Sequence, residues 1–172
     1  AVRHGLWDYD LPAQPTLLTI TVDGREIDAV AASSKMGFLF VFDRATGEPV
    51  WPIEDRPVIQ SDVPGERTSP TQPFPTKPPA FAPQGFTEDD LVDFTPALRA
   101  EALQVVRPYR TGPLYLPPSL QGSFAQPGII GGGNWGGTAV DPETSLLYVK
   151  STNSPAVLAL GAVDTTRTEG RL

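Results

Sequence analysis

The segment TLLTITVDGREIDAVAASSKMGFLFVFDRATGEPVW, residues 16–51, decides the fold of this chain. Thr16 to Val22 is rich in β-branched residues, which favour a strand. The Asp23-Gly24 pair that follows is a strong hairpin signal, because both central positions of a two-residue turn need positive φ. Ile27 to Ala32 is the predicted return strand, and the continuous apolar run Phe38 to Phe42 is typical of a buried strand.

Two turns complete this unit. Ser33 to Gly37 is predicted to turn the chain, with Gly37 supplying the unusual backbone angle. Asp43 to Glu48 places Asp and Gly where turns favour them, and Pro49 to Trp51 is a predicted fourth strand. Four short antiparallel strands in meander order are typical of one blade of a β-propeller. Trp51, at the end of that blade, is predicted to pack in the core between blades.

Proline dominates the stretch that follows. Residues 52–86 contain nine prolines, which argue against regular elements. Ser69 to Pro79 is predicted to be extended and polyproline-like, and a stiff surface excursion is favoured over a peptide ligand. A Pro-rich adaptor acting through residues 69–79 remains a third functional class, and it requires that segment to be exposed and mobile.

Two helices are predicted at the end of this insertion. Thr87 to Asp90 has the pattern of a capping box and starts a short helix through about Phe94. Thr95 is the predicted N-cap of a second helix with Pro96 at its first position, and Pro108 ends it. An apolar stripe is predicted to dock this helix on the sheet, formed by Leu98, Ala102, Val105 and Val106.

β character returns from residue 112. Thr138 to Asp141 and Leu146 to Lys150 form a predicted hairpin, and Pro155 to Leu160 is a candidate outer strand of the same blade. The predicted class is all-β: about two propeller blades with a Pro-rich, partly helical insertion. The predicted division is a first blade over 1–51, the insertion over 52–111, a second blade over 112–164 and a polar tail over 165–172.

Composition excludes several partners and sites. The net charge is -7 and no basic block is present, so nucleic acid is not an expected partner. There is no cysteine and only one histidine, so thiolate chemistry and the usual transition-metal sites are excluded. No apolar run reaches the length of a transmembrane helix.

A few polar residues stand out as candidates, each with a plain alternative. Asp8 lies beside an aromatic residue; it can accept a proton or ligate Ca²⁺, or it can cap a turn. Lys35 can donate to a quinone or carboxylate oxygen, or be a solvated turn lysine. The glycine-rich run 131–137 lacks the pattern of a phosphate loop, and its Asn134 can contact a flat ligand or bond locally. Spacing alone favours the plain alternatives.

Blocks of sequence spread over residues 3–155 support a more specific assignment. They are Leu6 to Ala13, Lys35 with Gly37, Phe40 to Pro49, Pro70 to Pro75, Pro117 to Gly122, Asn134 to Gly137, and Val140 to Thr144. In this order they resemble the quinoprotein dehydrogenases, eight-bladed β-propellers that depend on pyrroloquinoline quinone (PQQ). The resemblance is greatest to the branch of the membrane-bound glucose dehydrogenases. Asp43, Gly47 and Trp51 resemble the tryptophan-docking motif of these propellers.

The resemblance implies a role for each candidate residue. Asp8 matches the aspartate that takes the proton of the substrate hydroxyl and also binds Ca²⁺. Lys35, 27 positions later, matches the residue that bonds the quinone carbonyl oxygens. Asn134 matches an asparagine that contacts PQQ, with Trp135 beside it. The implied function is oxidation of a sugar or alcohol by hydride transfer to the quinone, in the periplasm.

Two departures from the family pattern qualify this expectation. Gly5 stands where the family usually has an aspartate. The chain also holds only about two blades, so further Ca²⁺ ligands and PQQ contacts are expected elsewhere. We therefore expect a C-terminal fragment that is inactive alone and pairs with itself or with the missing blades. The alternative is a propeller-like binding or structural module without catalysis, which convergence of Asp8, Lys35 and Asn134 on one pocket would disfavour.

Overall fold

The structure is a computed structural model that describes residues 2–161. Short strands dominate it, and the predicted tail 165–172 and the last residues of the second blade, 162–164, lie outside the described residues. The strands are β1 (Thr16–Val22), β2 (Arg25–Ser33), β3 (Leu39–Asp43), β4 (Ile53–Pro57), β5 (Thr71–Pro75), β6 (Gly85–Phe86), β7 (Gly112–Pro113), β8 (Ser123–Ala125), β9 (Thr138–Asp141), β10 (Leu146–Val149) and β11 (Ala156–Leu158).

The largest sheet of the described residues is the antiparallel meander β1-β2-β3, as the sequence predicts. Asp23 and Gly24 have φ of 50° and 76°, so the hairpin prediction is confirmed. The predicted fourth strand is wrong: Pro49 makes only an isolated bridge to Phe42. Proline at this position has no N–H to donate, so the ladder cannot extend through it.

The core of this sheet is made by small and branched side chains of β2 and β3, among them Ala29, Ala31 and Val41. Trp51 is half-buried and packs against this cluster. Leu147 of the β9–β10 hairpin packs there too, so the hairpin contributes to the same core.

The Pro-rich segment is extended as predicted, but the prediction that it forms no regular element is wrong. Residues 71–75 form β5, which pairs in antiparallel register with β4. Pro73 and Pro75 alternate along β5, and a two-stranded ladder tolerates this spacing because only alternate residues donate to the one partner strand. The segment is therefore part of the folded unit.

Gln72 ties β5 to the start of the described chain. Its side chain is fully buried. Its Nε2 donates to the carbonyl of Arg3 at 2.7 Å, and the Arg3 amide donates to its Oε1 at 2.8 Å. This pair of bonds holds Arg3 against β5, shortly before the candidate Asp8.

We expect Gln72→Leu to lower the free energy of unfolding by about 2–4 kcal/mol, because two main-chain groups lose their partners at about 1–3 kcal/mol each. Urea unfolding followed by circular dichroism measures the change. Gln60→Leu is the matched control, since Gln60 is exposed, and its effect should stay within about 0.5 kcal/mol. Equal effects in the two variants would contradict the proposed anchoring.

The two predicted helices are present. A 3₁₀ turn spans Glu88–Asp90 with the predicted capping box, and is shorter than expected. Helix α1 spans Pro96–Val106, and Thr95 Oγ1 accepts from the Leu98 amide at 3.2 Å as its N-cap. Its apolar stripe docks only in part: Val106 is buried and Ala102 half-buried, whereas Val105 remains 61% exposed. Within residues 2–161, no helix is long and apolar enough to cross a membrane.

The C-terminal strands form two separate pairs. The β9–β10 hairpin is confirmed, with Asp141 opposite Leu146. The strand within 155–160 is confirmed as β11, but it pairs with β8 and not with that hairpin. The hairpin instead lies beside β1, where the Thr16 and Thr138 hydroxyls are 2.6 Å apart. The division of the chain into two blades stays a prediction.

Candidate active site

Residues 6–10 point their side chains alternately inward and outward. Trp7 and Tyr9 are buried, whereas Asp8 and Asp10 are exposed. Trp7 Nε1 donates to the carbonyl of Leu116 at 2.8 Å, and the Tyr9 hydroxyl donates to the carbonyl of Pro127 at 2.5 Å. Because the inward aromatic side chains are fixed, both carboxylates are held on one outward side of an extended segment.

The aromatic side chains beneath this segment form a compact cluster. Trp7 stacks on Tyr9 with ring centroids 5.9 Å apart, and Tyr115 meets Trp7 edge-on at 5.3 Å. Burial raises the pKa of Tyr9 and of Tyr115 well above the ordinary value, so both hydroxyls stay neutral and act as uncharged groups of the core. The cluster is a rigid floor under Asp8.

Lys35 brings a buried cation to the two carboxylates. Its side chain is 9% exposed, and its Nζ lies 2.7 Å from Asp8 Oδ2 and 2.7 Å from Asp10 Oδ1. Burial acts to lower the pKa of Lys35, but the bonds to Asp10 and Asp8 and the charges of both outweigh it, so the pKa is raised. Asp8 and Lys35 therefore lie together, which is two thirds of the convergence that would disfavour a binding module, and Lys35 is not a solvated turn lysine.

The turn that carries Lys35 joins β2 to β3 and is confirmed by the structure. The Gly37 amide donates to the carbonyl of Ser34 at 3.0 Å, and Gly37 has φ of 79°. A Cβ at Gly37 would lie 2.7 Å from the Cβ of Ala82, so only glycine fits. The Lys35 amide donates to the carbonyl of Asp10 at 3.2 Å, which joins the turn to the aspartate segment.

The glycine-rich loop packs on the same turn. The Gly132 amide donates to the carbonyl of Lys35 at 2.7 Å, and the Gly133 amide donates to the carbonyl of Ser34 at 3.2 Å. Gly131 lies so close that a Cβ there would be 2.7 Å from the Lys35 Cα. The glycines thus allow close approach to the Lys35 backbone and help to bury its side chain.

Asn134 and Trp135 follow these glycines, but the structure does not bring their side chains onto Lys35. Asn134 Nδ2 donates to the carbonyl of Ile130 at 2.8 Å, and its Oδ1 accepts from the Trp135 amide at 2.8 Å. Trp135 is 82% exposed. Asn134 is thus engaged in local bonds, and the assignment of both residues as PQQ contacts stays a prediction.

A complete calcium site is not formed by this part of the chain. Among residues 2–161, no group of three or more His, Cys, Asp and Glu side chains lies close enough to hold a metal ion. Ca²⁺ takes six to eight oxygen ligands, whereas the carboxylates of Asp8 and Asp10 share the ammonium of Lys35. The described residues alone therefore do not fit the ion.

Comparison with known proteins identifies the family of this chain. Residues 1–171 match the family model of the PQQ-dependent glucose/ethanol/alcohol dehydrogenase β-propeller domain. The chain belongs to this family. The predicted resemblance is thereby confirmed, and the mostly-strand structure is consistent with part of a quinoprotein propeller.

Several relatives are similar to this quinoprotein chain. A quinoprotein glucose dehydrogenase of Escherichia coli is 37% identical, over 92% of this chain and 20% of the relative. A quinate/shikimate dehydrogenase of Acinetobacter baylyi is 36% identical, over 86% and 18%. A glycerol dehydrogenase large subunit of Gluconobacter oxydans is 34% identical, over 90% and 21%. The chain spans about a fifth of the length of these relatives. No solved structure matches it.

Asp10 is the site residue that sequence reasoning did not single out. It lies two positions after Asp8 and contacts the same ammonium. The signal was present in the alternation of Trp7, Asp8, Tyr9 and Asp10, because side chains two apart in an extended segment share a side.

Proposed function

We propose that this chain supplies part of the active site of a PQQ-dependent dehydrogenase, where the hydroxyl of a sugar or alcohol is oxidised. The observation that carries the proposal is the 2.7 Å contact between Lys35 Nζ and Asp8 Oδ2 across 27 positions of sequence. Membership of the PQQ family supports the cofactor. The relatives carry the names glucose, quinate and glycerol dehydrogenase, and each compound bears hydroxyl groups.

Asp8 is the proposed proton acceptor. Its side chain is 62% exposed, so a substrate can reach it. The hydrogen bonds of residues 2–161 engage Oδ2 through Lys35 and leave Oδ1 for the substrate hydroxyl. Bound PQQ supplies the acceptor for the hydride that leaves the carbon bearing this hydroxyl. Removal of the hydroxyl proton by Asp8 favours loss of that hydride and gives a carbonyl product.

Lys35 is the proposed donor to a carbonyl oxygen of the quinone. Its ammonium carries three N–H groups, and two of them face Asp8 and Asp10, so one remains for a ligand. Its donor chemistry fits the oxygen-rich edge of PQQ. Asn134 and Trp135 are proposed to border the cofactor, and Asn134 would exchange one of its local bonds to do so.

Calcium and the missing blades belong to the same proposal. Asp8 would supply one oxygen ligand to Ca²⁺, with the other ligands outside the described residues. Side chains on the strands remain open, with Leu17, Leu146 and Tyr148 exposed by 59%, 53% and 59%. Such faces suit neighbouring blades, so the chain is proposed to be inactive alone and to pair with itself or with the missing blades. A periplasmic location is proposed from the family resemblance.

A PQQ titration of the chain followed by tryptophan fluorescence tests this function. We expect saturable quenching, weakened on the order of tenfold in Lys35→Ala because a charged hydrogen bond to the quinone is lost. Lys77→Ala is the matched control, since Lys77 is an exposed lysine of the same chain. In a complex with the missing blades, Asp8→Asn should remove the enhancement of binding by added Ca²⁺.

Two outcomes would overturn the proposal. Binding that is equally strong in Lys35→Ala and Lys77→Ala would show that Lys35 does not contact the quinone. If the folded chain does not bind PQQ, either alone or together with the other blades, the alternative is favoured. The chain would then be a binding or structural module without catalysis.

A further inference from the structure

We propose that Asp10 is the positioning residue that holds the ammonium of Lys35 at the cofactor edge, an inference that rests on the proposed function. Asp10 touches Lys35 twice. Its main-chain carbonyl accepts the Lys35 amide at 3.2 Å, and its Oδ1 lies 2.7 Å from Lys35 Nζ. Both ends of the lysine, the backbone and the ammonium, are therefore held by one residue.

The contact of Asp8 with Lys35 is different in kind. Asp8 reaches Lys35 through its carboxylate alone, at 2.7 Å. Its oxygen is also the one that has to meet a substrate, whereas Asp10 has no such demand. Because two carboxylates hold the ammonium, Lys35 keeps its bond to Asp10 when Asp8 turns toward a substrate. Asp10 is therefore the anchor that lets Asp8 serve the substrate without releasing Lys35.

The packing around Lys35 fixes its stem but supplies no anionic partner for its ammonium. The stem of Lys35 is enclosed by the glycine loop, since a Cβ at Gly131 would lie 2.5 Å from the Lys35 Cβ. The loop fixes the stem but offers Nζ no charge. In the absence of the Asp10 carboxylate, Asp8 would be the remaining anionic partner of the ammonium among the described residues. A substrate that engages Asp8 would then compete with Lys35 for it, and the donor would lose its fixed place at the quinone.

Side-chain NMR of lysine tests the positioning directly, without cofactor. The chain has only three lysines, Lys35, Lys77 and Lys150, so the ¹³Cε signals are simple to assign. We expect the Lys35 methylene to be more ordered than that of Lys77. Asp10→Asn should reduce its order toward that of Lys77, and by more than Asp8→Asn does, while Asp10→Glu should largely retain it. Loss of order in Asp8→Asn but not in Asp10→Asn would overturn the proposal.

A PQQ titration of the same variants tests the consequence. Asp10→Asn should weaken PQQ on the order of fivefold to tenfold, and Asp10→Glu should recover most of this loss, because the carboxylate acts through a charged hydrogen bond. In a Lys35→Ala background, Asp10→Asn should have no further effect. Asp28→Asn is the matched control, since Asp28 pairs with Arg44 away from the site.

The outcomes separate the two proposals. PQQ affinity that depends on Lys35 but not on Asp10 would overturn the positioning role and leave the proposed function intact. Affinity that does not depend on Lys35 would overturn the proposed function, and the NMR comparison would still decide whether Asp10 holds the lysine. Equal losses from Asp10→Asn with and without Lys35 would show that Asp10 acts independently, which also overturns the inference.

Discussion

Replacement of Gly131 by alanine is expected to lower the free energy of unfolding by about 2–5 kcal/mol and to lift the glycine loop off Lys35. Two physical effects add. Gly131 has φ of 82°, which an L-residue adopts only with strain. A Cβ there would lie 2.5 Å from the Cβ and 2.7 Å from the Cα of Lys35, and a backbone atom cannot move aside.

Gly47→Ala separates the backbone strain from the steric clash. Gly47 has φ of 77°, so it carries the same backbone strain, but nothing lies within 4 Å of the place a Cβ would take there. Its cost should be about 1–2 kcal/mol, the strain alone. Urea unfolding of both variants gives the difference, and the reactivity of Lys35 toward an amine reagent reports its exposure. Equal costs and an unchanged Lys35 would show that the loop does not pack on the turn.

Local elements of the fold can be predicted from the sequence because the residues that determine them are adjacent in the chain. The hairpin at Asp23-Gly24 needs two residues with positive φ, and Thr95 with Pro96 marks a helix start by their own chemistry. The strand character of Thr71–Pro75 was missed because it depends on a partner strand, Ile53–Pro57, across a loop. Proline content predicts an extended backbone but not whether another strand pairs with it.

The candidate site likewise has features that the sequence indicates and features that depend on contacts between distant segments. Asp8 and Lys35 were singled out with help from the family resemblance, but the contact between their side chains is seen only in the structure. The contact of Asp10 with Lys35 joins two separate segments, and the burial of the lysine involves the glycine loop, which lies nearly a hundred residues further along the chain. The assignment of Asn134 as a cofactor contact stays a prediction, and in the structure its amide bonds to Ile130 and Trp135.

The second large effect is expected at the floor of the site. Trp7→Ala should cost about 3–5 kcal/mol, because it removes a large aromatic side chain from a packed cluster and leaves a cavity. Trp7 is 7% exposed and stacks on Tyr9. Trp135→Ala is the matched control: the same substitution at a side chain that is 82% exposed should change stability by less than about 0.5 kcal/mol. Thermal and urea unfolding by circular dichroism measure both.

Trp7→Phe separates the contribution of packing from that of the hydrogen bond. It can also be measured if Trp7→Ala does not fold. It keeps an aromatic ring but leaves the carbonyl of Leu116 without the donor that lies at 2.8 Å, at a cost of about 1–3 kcal/mol. Because the buried Trp7 and Tyr9 alternate with Asp8 and Asp10, loosening the floor should also disorder the contacts of both carboxylates with Lys35. The Lys35 ¹³Cε signal should therefore lose order in Trp7→Phe and keep it in Trp135→Ala. A destabilised Trp7→Phe variant with an undisturbed Lys35 would mean that Lys35 is held from the glycine loop and Asp10 alone, and that the aromatic floor supports the fold without positioning the proton acceptor.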